Sequence, residues 1–427
     1  MKLFLTLFIF LDFCYQMILY KIVDDWRKKP LPIEVSDVYD EQRYQTFIHY
    51  KNDNRKLSLI SKVISLMIDL IIIYSNFFSF IEKCIGNHPY LLVIVTSMIL
   101  LFVNMIISYF IDYHRTFVID EKYGKNKKDL KEFHKDFFLN LILEIPLTLV
   151  IYSFMTFVCE AIGHYTDIHM ISYLVSFLLC VGILSIFMFI IVFFSFMSYL
   201  TLKKQYTFIE MEENDLRRKI ESMMDGCKKK VSKIQIYNES KKSTSKNAFL
   251  LKLLWIREFG IADNFMNENS ENELLAVLAH EIGHLKHKKD KYDYFKYFIF
   301  IVIGFIIVWM IPNNQIIKDL NTMILSEFNL TYNNYYLSMI VVSLISSPFM
   351  IVLEAILNTI TRIQEYEADR NSVAMGYGKE LIQTFKRISN DELVDVYPAP
   401  FIEMTSYNHP GMYNRIKAIQ KEMKARD

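Results

Sequence analysis

Seven apolar stretches divide this chain, and each is long enough to cross the roughly 30 Å hydrocarbon core of a bilayer as a helix. They lie at about residues 3–20, 57–81, 90–111, 137–158, 170–200, 293–311 and 335–358. Apolar runs of this length with few charges are typical of membrane spans rather than of buried core helices. The pattern therefore predicts a mainly α, polytopic membrane protein with seven transmembrane helices.

The first apolar stretch stands where a signal peptide would stand. It lacks a small-residue cleavage site and carries Asp12 and Gln16. An uncleaved anchor is therefore the favoured interpretation, with a cleaved signal peptide as the alternative.

Polar residues interrupt five of the predicted spans. They are Asp12, Asp69, Asn104, Asn140, Glu144 and Glu354. Such residues are costly against lipid and usually face a bundle interior or water. They predict a wet interior, and hydrogen bonds between helices are the alternative explanation.

Two polar pieces, 201–292 and 359–427, lie outside the spans and are predicted to fold together as one domain. The chain is thus divided into spans one to five (1–200), a first soluble piece (201–292), spans six and seven (293–358) and a second soluble piece (359–427).

The first soluble piece carries signs of a small β-sheet. Residues 231–237 alternate apolar and polar positions and predict a strand, 247–258 predict a second strand, and 205–230 predict a charged helix. Ser270 with Glu273 three positions later predicts a capping box, which begins the next helix.

Lysine and arginine alternate between the loops. The loops after spans one, three and five are rich in both, whereas those after spans two and six offer only Lys83 and Lys318, and 159–169 offers neither. Basic loops face the cytoplasm. The N-terminus is therefore predicted to be lumenal, and the soluble domain and the C-terminus cytoplasmic.

Composition narrows the class of protein further. The chain is 52% hydrophobic with a net charge of +1, so its charge gives no argument for a nucleic-acid partner. The five cysteines show no C-x-x-C spacing, which argues against a zinc knuckle or a disulfide framework. In the predicted topology Cys84 and Cys159 both lie near the non-cytoplasmic face of the membrane. Two unpaired thiols are favoured there, and a disulfide bridge is the alternative.

A metal-binding motif stands just before span six, at His280-Glu281-x-x-His284. On a helix this spacing sets two imidazoles one turn apart, where both reach one Zn²⁺, and the glutamate can deprotonate a water on the metal. Gly283 lies beside the motif, where a bulky side chain would crowd a metal site. An accidental pair of histidines on a solvated helix end is the alternative.

Glu365, shortly after span seven, is placed to be a third ligand. Asp369 follows one turn later on the same helix face, so one carboxylate can bind the metal while the other accepts the distal N–H of a ligand histidine. Two histidines, a glutamate and an open fourth position are typical of a catalytic zinc site. A merely solvated acidic residue is the alternative for Glu365.

Several motifs together resemble the CAAX prenyl protease 1 family of integral-membrane zinc metalloproteases. They are His280-Glu281-Ile282-Gly283-His284, Arg362 through Asp369, Ser245-Lys246-Asn247-Ala248-Phe249, Asn408-His409-Pro410 with Arg415, and Thr116 through Gly124. Two departures, Thr361 for the family's serine and Lys246 where serine is frequent, touch no proposed ligand.

The resemblance implies a fold and a set of further site residues. Seven helices would enclose a barrel-like, water-filled chamber beside a cytoplasmic zinc metalloprotease domain. His409 would stabilise the oxyanion, although a structural role at a helix start before Pro410 is the alternative. Asn247 and Ala248 would pair with an extended substrate. Arg362 and Arg415 would bind substrate or brace the site, with helix surface pairs as the alternative.

The activity implied is removal of the C-terminal tripeptide from prenylated CAAX proteins by a water on Zn²⁺, with Glu281 as the proton carrier. The resemblance also implies an endoplasmic reticulum membrane, and we expect contact with membrane lipid and a monomer. A broader quality-control protease with the same site is one alternative. An inactive membrane scaffold or transporter is the alternative from another class.

Overall fold

The computed structural model describes residues 1–165, 172–224, 231–253, 256–286 and 315–426. Among these residues, five helices are long and apolar enough to cross a membrane: Lys2–Arg27, Glu41–Tyr74, Pro89–Asp120, Leu130–Phe157 and Tyr335–Ala374. They coincide with predicted spans one to four and seven. Predicted span five falls on the helix Ser172–Gln205, and span six lies outside the described residues. The prediction of a mainly α membrane protein is confirmed, while the number seven stays a prediction.

The helices are labelled in chain order among the described residues. They are α1 Lys2–Arg27, α2 Glu41–Tyr74, α3 Phe77–Ile85, α4 Pro89–His114 continued by a π-helical turn Arg115–Asp120, α5 Leu130–Tyr165, α6 Ser172–Gln205, α7 Asp215–Met223, a 3₁₀ turn Glu239–Lys241, α8 Asp263–Glu268, α9 Glu271–Lys286, α10 Gln315–Glu327, α11 Tyr335–Ala374, α12 Gly378–Glu392, α13 Pro400–Ser406 and α14 Met412–Lys424.

Predicted span two is shorter than its apolar pattern indicates. Helix α2 ends at Tyr74 because Ser75 adopts an extended conformation and its hydroxyl accepts a hydrogen bond from the amide of Phe77 at 3.3 Å. Serine and asparagine favour such local bonds over helix continuation. The predicted boundary at residue 81 is therefore wrong, and the apolar residues after the break form the separate helix α3.

The candidate membrane helices bury little of their surface. At most 22% of the most apolar window of each is buried. All six polar residues predicted within spans, from Asp12 to Glu354, are exposed. The amide oxygen of Asn140 accepts a bond from Gln205 on α6 at 3.1 Å. Loose packing of this kind is compatible with a chamber, and the water-filled interior stays a prediction.

Four strands form a small mixed sheet in the order β1-β2-β4-β3. They are β1 Phe208–Glu210, β2 Lys233–Tyr237, β3 Ala248–Leu253 and β4 Ile256–Ala262. Strand β2 runs parallel to β4, and the other two pairings are antiparallel. β3 therefore lies at one edge of the sheet. An edge strand presents unpaired backbone groups that can bind a further strand.

Two of the secondary-structure predictions need correction. The run 247–258 is not one strand, because β3 and β4 pair antiparallel from Ala248 with Ile261 to Leu253 with Ile256. The apolar run is longer than the five or six residues of a typical strand, so it folds back on itself. The predicted helix 205–230 contains β1 and the short helix α7 instead, whereas the strand predicted at 231–237 is confirmed as β2.

The soluble core joins residues from both soluble pieces. Phe265 and Leu278 from the first piece belong to one buried cluster with Leu381 and Ile419 from the second. Helix α9 lies at its centre and is buried along most of its length. This packing brings α9 against α11 and α12 and thereby sets the positions of the residues described next.

Candidate metal centre

The start of α9 is defined by a modified capping box. The Glu273 carboxylate accepts hydrogen bonds from the Ser270 amide at 2.8 Å and from its hydroxyl at 2.7 Å. In a standard capping box the glutamate accepts from the serine amide, as it does here, and the serine hydroxyl accepts from the glutamate amide. Here the serine hydroxyl donates to the Glu273 carboxylate instead. Arg387 of α12 also pairs with Glu273, at 2.7 Å. The helix that carries the metal motif is therefore anchored at its first turn.

Helix α9 sets His280 and His284 side by side. Their ring centroids lie 4.8 Å apart with an interplanar angle of 86°. One ligand atom from each of His280, Glu281 and His284 fits within a group no wider than 4.8 Å. Leu275, Leu278 and Ile282 of the same helix are fully buried, which fixes its rotation. The spacing read from the sequence is thus realised on one helix.

Gly283 permits close contact between α9 and α11. A Cβ at this position would lie 2.7 Å from the Cα of Ala368 and 3.0 Å from its carbonyl oxygen. The bulk that Gly283 avoids is therefore the backbone of another helix, not the metal site itself as predicted. The amide of Asn371 donates to Ala279 O at 2.7 Å, and the hydroxyl of Ser372 donates to Ala276 O at 2.9 Å.

This contact brings Glu365 of α11 to the two histidines. Glu365 Oε1 lies 3.2 Å from His284 Nε2, and Oε2 lies 3.5 Å from His280 Nε2. The residue is only 4% exposed. Two imidazole nitrogens and one buried carboxylate therefore converge, and a buried carboxylate needs positively charged or hydrogen-bonding partners.

Asp369 and Arg415 support His280 from behind. Asp369 Oδ1 lies 2.8 Å from His280 Nδ1, and we assign the ring proton to Nδ1 on this contact. Arg415 donates to both oxygens of Asp369, from Nη2 at 2.6 Å and from Nε at 3.0 Å. His280 Nε2 faces Glu365, and with the Nδ1 proton held by Asp369 this is the nitrogen that is placed to bind a metal.

The electrostatics of the site favour a cation. Burial lowers the pKa of His280, but its hydrogen bonds with Asp369 and Glu365 outweigh burial and raise that pKa to about 9. Burial likewise opposes charge on Arg415, while the coulombic effect of Asp369 raises the pKa of the guanidinium. Buried carboxylates therefore hold a negative field where the histidine nitrogens meet. The donor set fits a divalent metal ion with nitrogen and oxygen ligands.

His409 approaches the same carboxylate from a loop. Its Nδ1 lies 2.9 Å from Glu365 Oε2, and its side chain is 57% exposed. Helix α14 begins at Met412, so Pro410 does not occupy the first helical position. His409 is therefore placed at the open side of the site.

Glu281 lies between the metal motif and the edge strand. Its Oε2 accepts a hydrogen bond from the amide of Leu250 on β3 at 3.2 Å. That amide consequently points away from β4. Asn247 is exposed, and its carbonyl accepts from Ala262, whereas Ala248 is buried. The outward edge of β3 thus faces the candidate proton carrier.

Arg362 binds backbone carbonyls on α13. Nη1 donates to Glu403 O at 2.8 Å, Met404 O at 3.2 Å and Tyr407 O at 2.6 Å. These three bonds satisfy the end of α13 and tie it to α11. The contacts support the bracing interpretation of Arg362, and a role in substrate binding stays a prediction.

Two supporting features escaped the sequence-based reasoning. The buried Glu403 accepts from the Gly411 amide at 2.8 Å and from Asn414 at 2.8 and 2.9 Å, which closes the loop that carries His409. Those contacts span eight to eleven residues and follow no local pattern. The position of Ser372 one turn after Ala368, on the face of Glu365, is a pattern that could have indicated the contact with α9.

Comparison with protein-family models assigns the chain. Residues 23–195 match the CAAX prenyl protease N-terminal region, which is described as five membrane helices, and residues 210–423 match peptidase family M48. The chain therefore belongs to peptidase family M48 and is a membrane metalloprotease. The predicted resemblance to the CAAX prenyl protease 1 family is confirmed.

Individual proteins agree with this assignment. The chain is 26% identical to the probable CAAX prenyl protease 1 of Schizosaccharomyces pombe over 92% of this chain and 82% of that protein. It is 23% identical to the CAAX prenyl protease 1 of Saccharomyces cerevisiae over 98% and 95% of the two chains. A crystal structure of S. mikatae Ste24p shares the fold, with a TM-score of 0.78, 20% identity and 98% coverage of each chain.

Proposed function

We propose that this protein is a zinc metalloendopeptidase that removes the C-terminal tripeptide from prenylated CAAX proteins. The convergence of His280 Nε2, His284 Nε2 and the Glu365 carboxylate beside Glu281 carries the proposal. The family implies a metal, and this donor set is that of catalytic zinc sites. The names of the relatives support the substrate class.

His280, His284 and Glu365 would hold the Zn²⁺, with Asp369 fixing the tautomer of His280. Bound there, the ion would acidify a water and polarise the scissile carbonyl. The carboxylate of Glu365 and the Nε2 atoms of the two histidines are the groups that the ion would contact.

Glu281 is the proposed proton carrier. Its carboxylate accepts the proton of the attacking water and later delivers it to the leaving amine. The Leu250 amide restrains Oε2 at 3.2 Å, which keeps the carboxylate at the outward edge of β3. A substrate in extended conformation would add to that edge through Ala248 and Asn247, so that its scissile bond lies beside Glu281.

His409 is proposed to stabilise negative charge that develops on the carbonyl oxygen. Its imidazole is 57% exposed and lies next to Glu365, so it could donate a hydrogen bond to a substrate bound at the site. Donors aimed at developing charge are worth about 10²–10³ in turnover. Arg415 acts behind the ligands, because its guanidinium is buried against Asp369.

The membrane location supports a lipid-bearing substrate. Glu365 lies on α11, the same helix that contains predicted span seven, so the site is next to the bilayer. We propose an endoplasmic reticulum membrane, a lumenal N-terminus and a cytoplasmic site, supported by the basic loops and by the family. The expected monomer stays a prediction.

The test uses purified protein with a farnesylated CAAX peptide and the same peptide without the lipid. We expect cleavage after the prenylated cysteine, loss of activity with a chelator, and recovery with Zn²⁺. Glu281→Gln should retain zinc and lose about 10²–10⁴ in turnover. Equal cleavage of the unprenylated peptide would favour the quality-control protease. Normal turnover by Glu281→Gln would exclude the mechanism, and zinc near zero in purified protein would favour the scaffold.

A further inference from the structure

His409 lies on a segment that is held from two sides. This segment, residues 393–411 between α12 and α14, is called the His409 strap and contains α13. Arg362 of α11 binds its carbonyl groups, and Glu403 within the strap accepts from the Gly411 amide, as described above. The strap also contacts the end of the first membrane helix and the segment that follows it.

The end of α1 binds the strap with two side chains. Arg27 donates to Asp395 Oδ2 from Nη2 at 2.9 Å and from Nε at 3.2 Å. The indole N–H of Trp26 donates to Tyr397 O at 3.1 Å, and the two rings lie 5.2 Å apart. The side chains of Arg27 and Asp395 are only 16% and 14% exposed, so water screens this ion pair weakly.

The loop after α1 and the first turn of α2 add contacts to the end of α12, where the strap begins. The buried hydroxyl of Tyr39 lies 2.7 Å from Ser389 O and 2.8 Å from Val394 O. Arg43 donates to Asn390 O at 2.9 Å and to Asp391 O at 3.1 Å. These bonds join parts of the chain that are about 350 residues apart in sequence.

A short path leads from α1 to the metal centre. Tyr397 packs edge-to-face against Tyr413 at 5.2 Å, and the Tyr413 amide donates to Val396 O at 3.0 Å. Tyr413 is in the first turn of α14, two residues before Arg415 and four residues after His409. The part of the strap that α1 holds is therefore in direct contact with the helix start next to His409.

We propose that Trp26 and Arg27 are positioning residues for His409, acting through Asp395 and Tyr397. Neither residue touches the proposed ligands, so their effect is on the placement of a loop. This inference rests on the role proposed for His409 and adds to it the first membrane helix as part of the active-site support. Misplacement of a catalytic group by about 1 Å can cost up to a hundredfold in rate.

The test is a double-mutant cycle between Asp395→Asn and His409→Ala with the farnesylated peptide. Asp395→Asn should lower kcat about tenfold, with KM within about twofold and zinc content unchanged. In the His409→Ala background the same change should alter kcat by less than about twofold, because the group that it positions is gone. An equal loss in both backgrounds would overturn the proposal.

Asp37→Asn is the matched control. Asp37 is on the loop after α1 and pairs with Lys386 of α12 at 2.6 and 2.8 Å, so Asp37→Asn removes the same charge from an ion pair that does not include the strap. Its kcat should match that of the unchanged protein. Trp26→Phe removes the hydrogen bond to Tyr397 and replaces the indole with a smaller aromatic ring, and it takes the place of Asp395→Asn in the cycle if the latter fails to fold.

Hydrogen exchange gives a readout that does not depend on turnover. Asp395→Asn, but not Asp37→Asn, should increase amide exchange in a peptide covering 400–411, with zinc and after chelation. Unchanged exchange there would refute the proposal even if the protein cleaves prenylated peptides. Absence of cleavage by the unchanged protein, with increased exchange in the variant, would reject the proposed function and retain the positioning contact.

Discussion

The two halves of the candidate metal centre are built in different ways. On one side, α9 supplies His280, Glu281 and His284 from five consecutive positions, and a buried helix face fixes their orientation. On the other side, Glu365 and Arg415 come from α11 and α14, and His409 from the loop before α14, held by polar contacts over 40 to 90 residues. The first half depends on local pattern and apolar burial, and the second on matched hydrogen bonds between distant segments.

The comparison teaches where the site is fragile. Apolar burial tolerates small changes of shape, whereas a buried carboxylate left without its partner costs the full penalty of desolvation. Variants that remove a proposed ligand on the α11 side should therefore lower metal binding and turnover as well as stability. Variants at the start of α9 should lower stability and leave turnover unchanged.

The largest effect is expected from Glu365→Gln. The neutral amide is a weaker zinc ligand and removes the negative charge next to both histidines. We expect zinc content to fall well below one per chain and turnover to fall by at least about 10³. Metal analysis after gel filtration, with turnover assayed in parallel, measures both.

Glu367→Gln is the control for that variant, because it makes the same chemical change on another face of α11. It should retain zinc. Full zinc occupancy and normal turnover in Glu365→Gln would show that the third ligand lies elsewhere and that the two halves are not joined at Glu365.

Gly283→Ala tests the contact that joins the halves. The added methyl group would meet the backbone of Ala368 at 2.7 Å, and backbone cannot move aside as a flexible side chain can. We expect a stability loss of about 1–3 kcal/mol, together with reduced zinc affinity because Glu365 is displaced. Thermal unfolding and zinc titration check the two effects.

Gly182→Ala on α6 is the matched control, since nothing lies within 4 Å of the added carbon. Its thermal stability should be unchanged or slightly higher. A Gly283→Ala variant as stable as Gly182→Ala would mean that the helices separate without cost.

The smallest effect is expected from Ser270→Ala, which changes only the local start of α9. The hydroxyl of Ser270 donates to Glu273 at 2.7 Å. Replacement of a polar capping side chain by alanine typically lowers the free energy of unfolding by about 1 kcal/mol. Unfolding should occur at lower temperature, while turnover well below that temperature stays unchanged. A fall in turnover without a fall in stability would contradict the division between the two halves.

The half of the site on α9 was easier to predict from the sequence than the half on α11 and α14. The spacing of His280 and His284 determines their proximity, because a helix repeats every 3.6 residues. Glu365 and Asp369 were identified by a helix face together with a family resemblance, and the structure brings both to His280. Glu403 and Leu250 had no such pattern, since their contacts arise only from tertiary packing.

The membrane half of the fold was predicted by the same logic. Apolar length indicated the spans, but Ser75 ended α2 earlier than hydrophobicity suggested because a serine offers the backbone a competing hydrogen bond. The strap contacts of Trp26 and Arg27 with Tyr397 and Asp395 could not be predicted, because pairs of residues so distant in sequence leave no periodic trace.

Helix α11 contains both a candidate membrane span and Glu365 of the candidate metal centre. From Tyr335 to Glu365 it rises about 45 Å at 1.5 Å per residue. One degree of rigid tilt about its far end would move Glu365 by about 0.8 Å, more than the roughly 0.2 Å within which metal–ligand distances fall. Bilayers of different thickness change the tilt of membrane helices, although Pro348 offers a point where α11 can bend instead. We therefore expect acyl-chain length to influence turnover, opposed by the contacts of Gly283 with Ala368 and of Arg415 with Asp369.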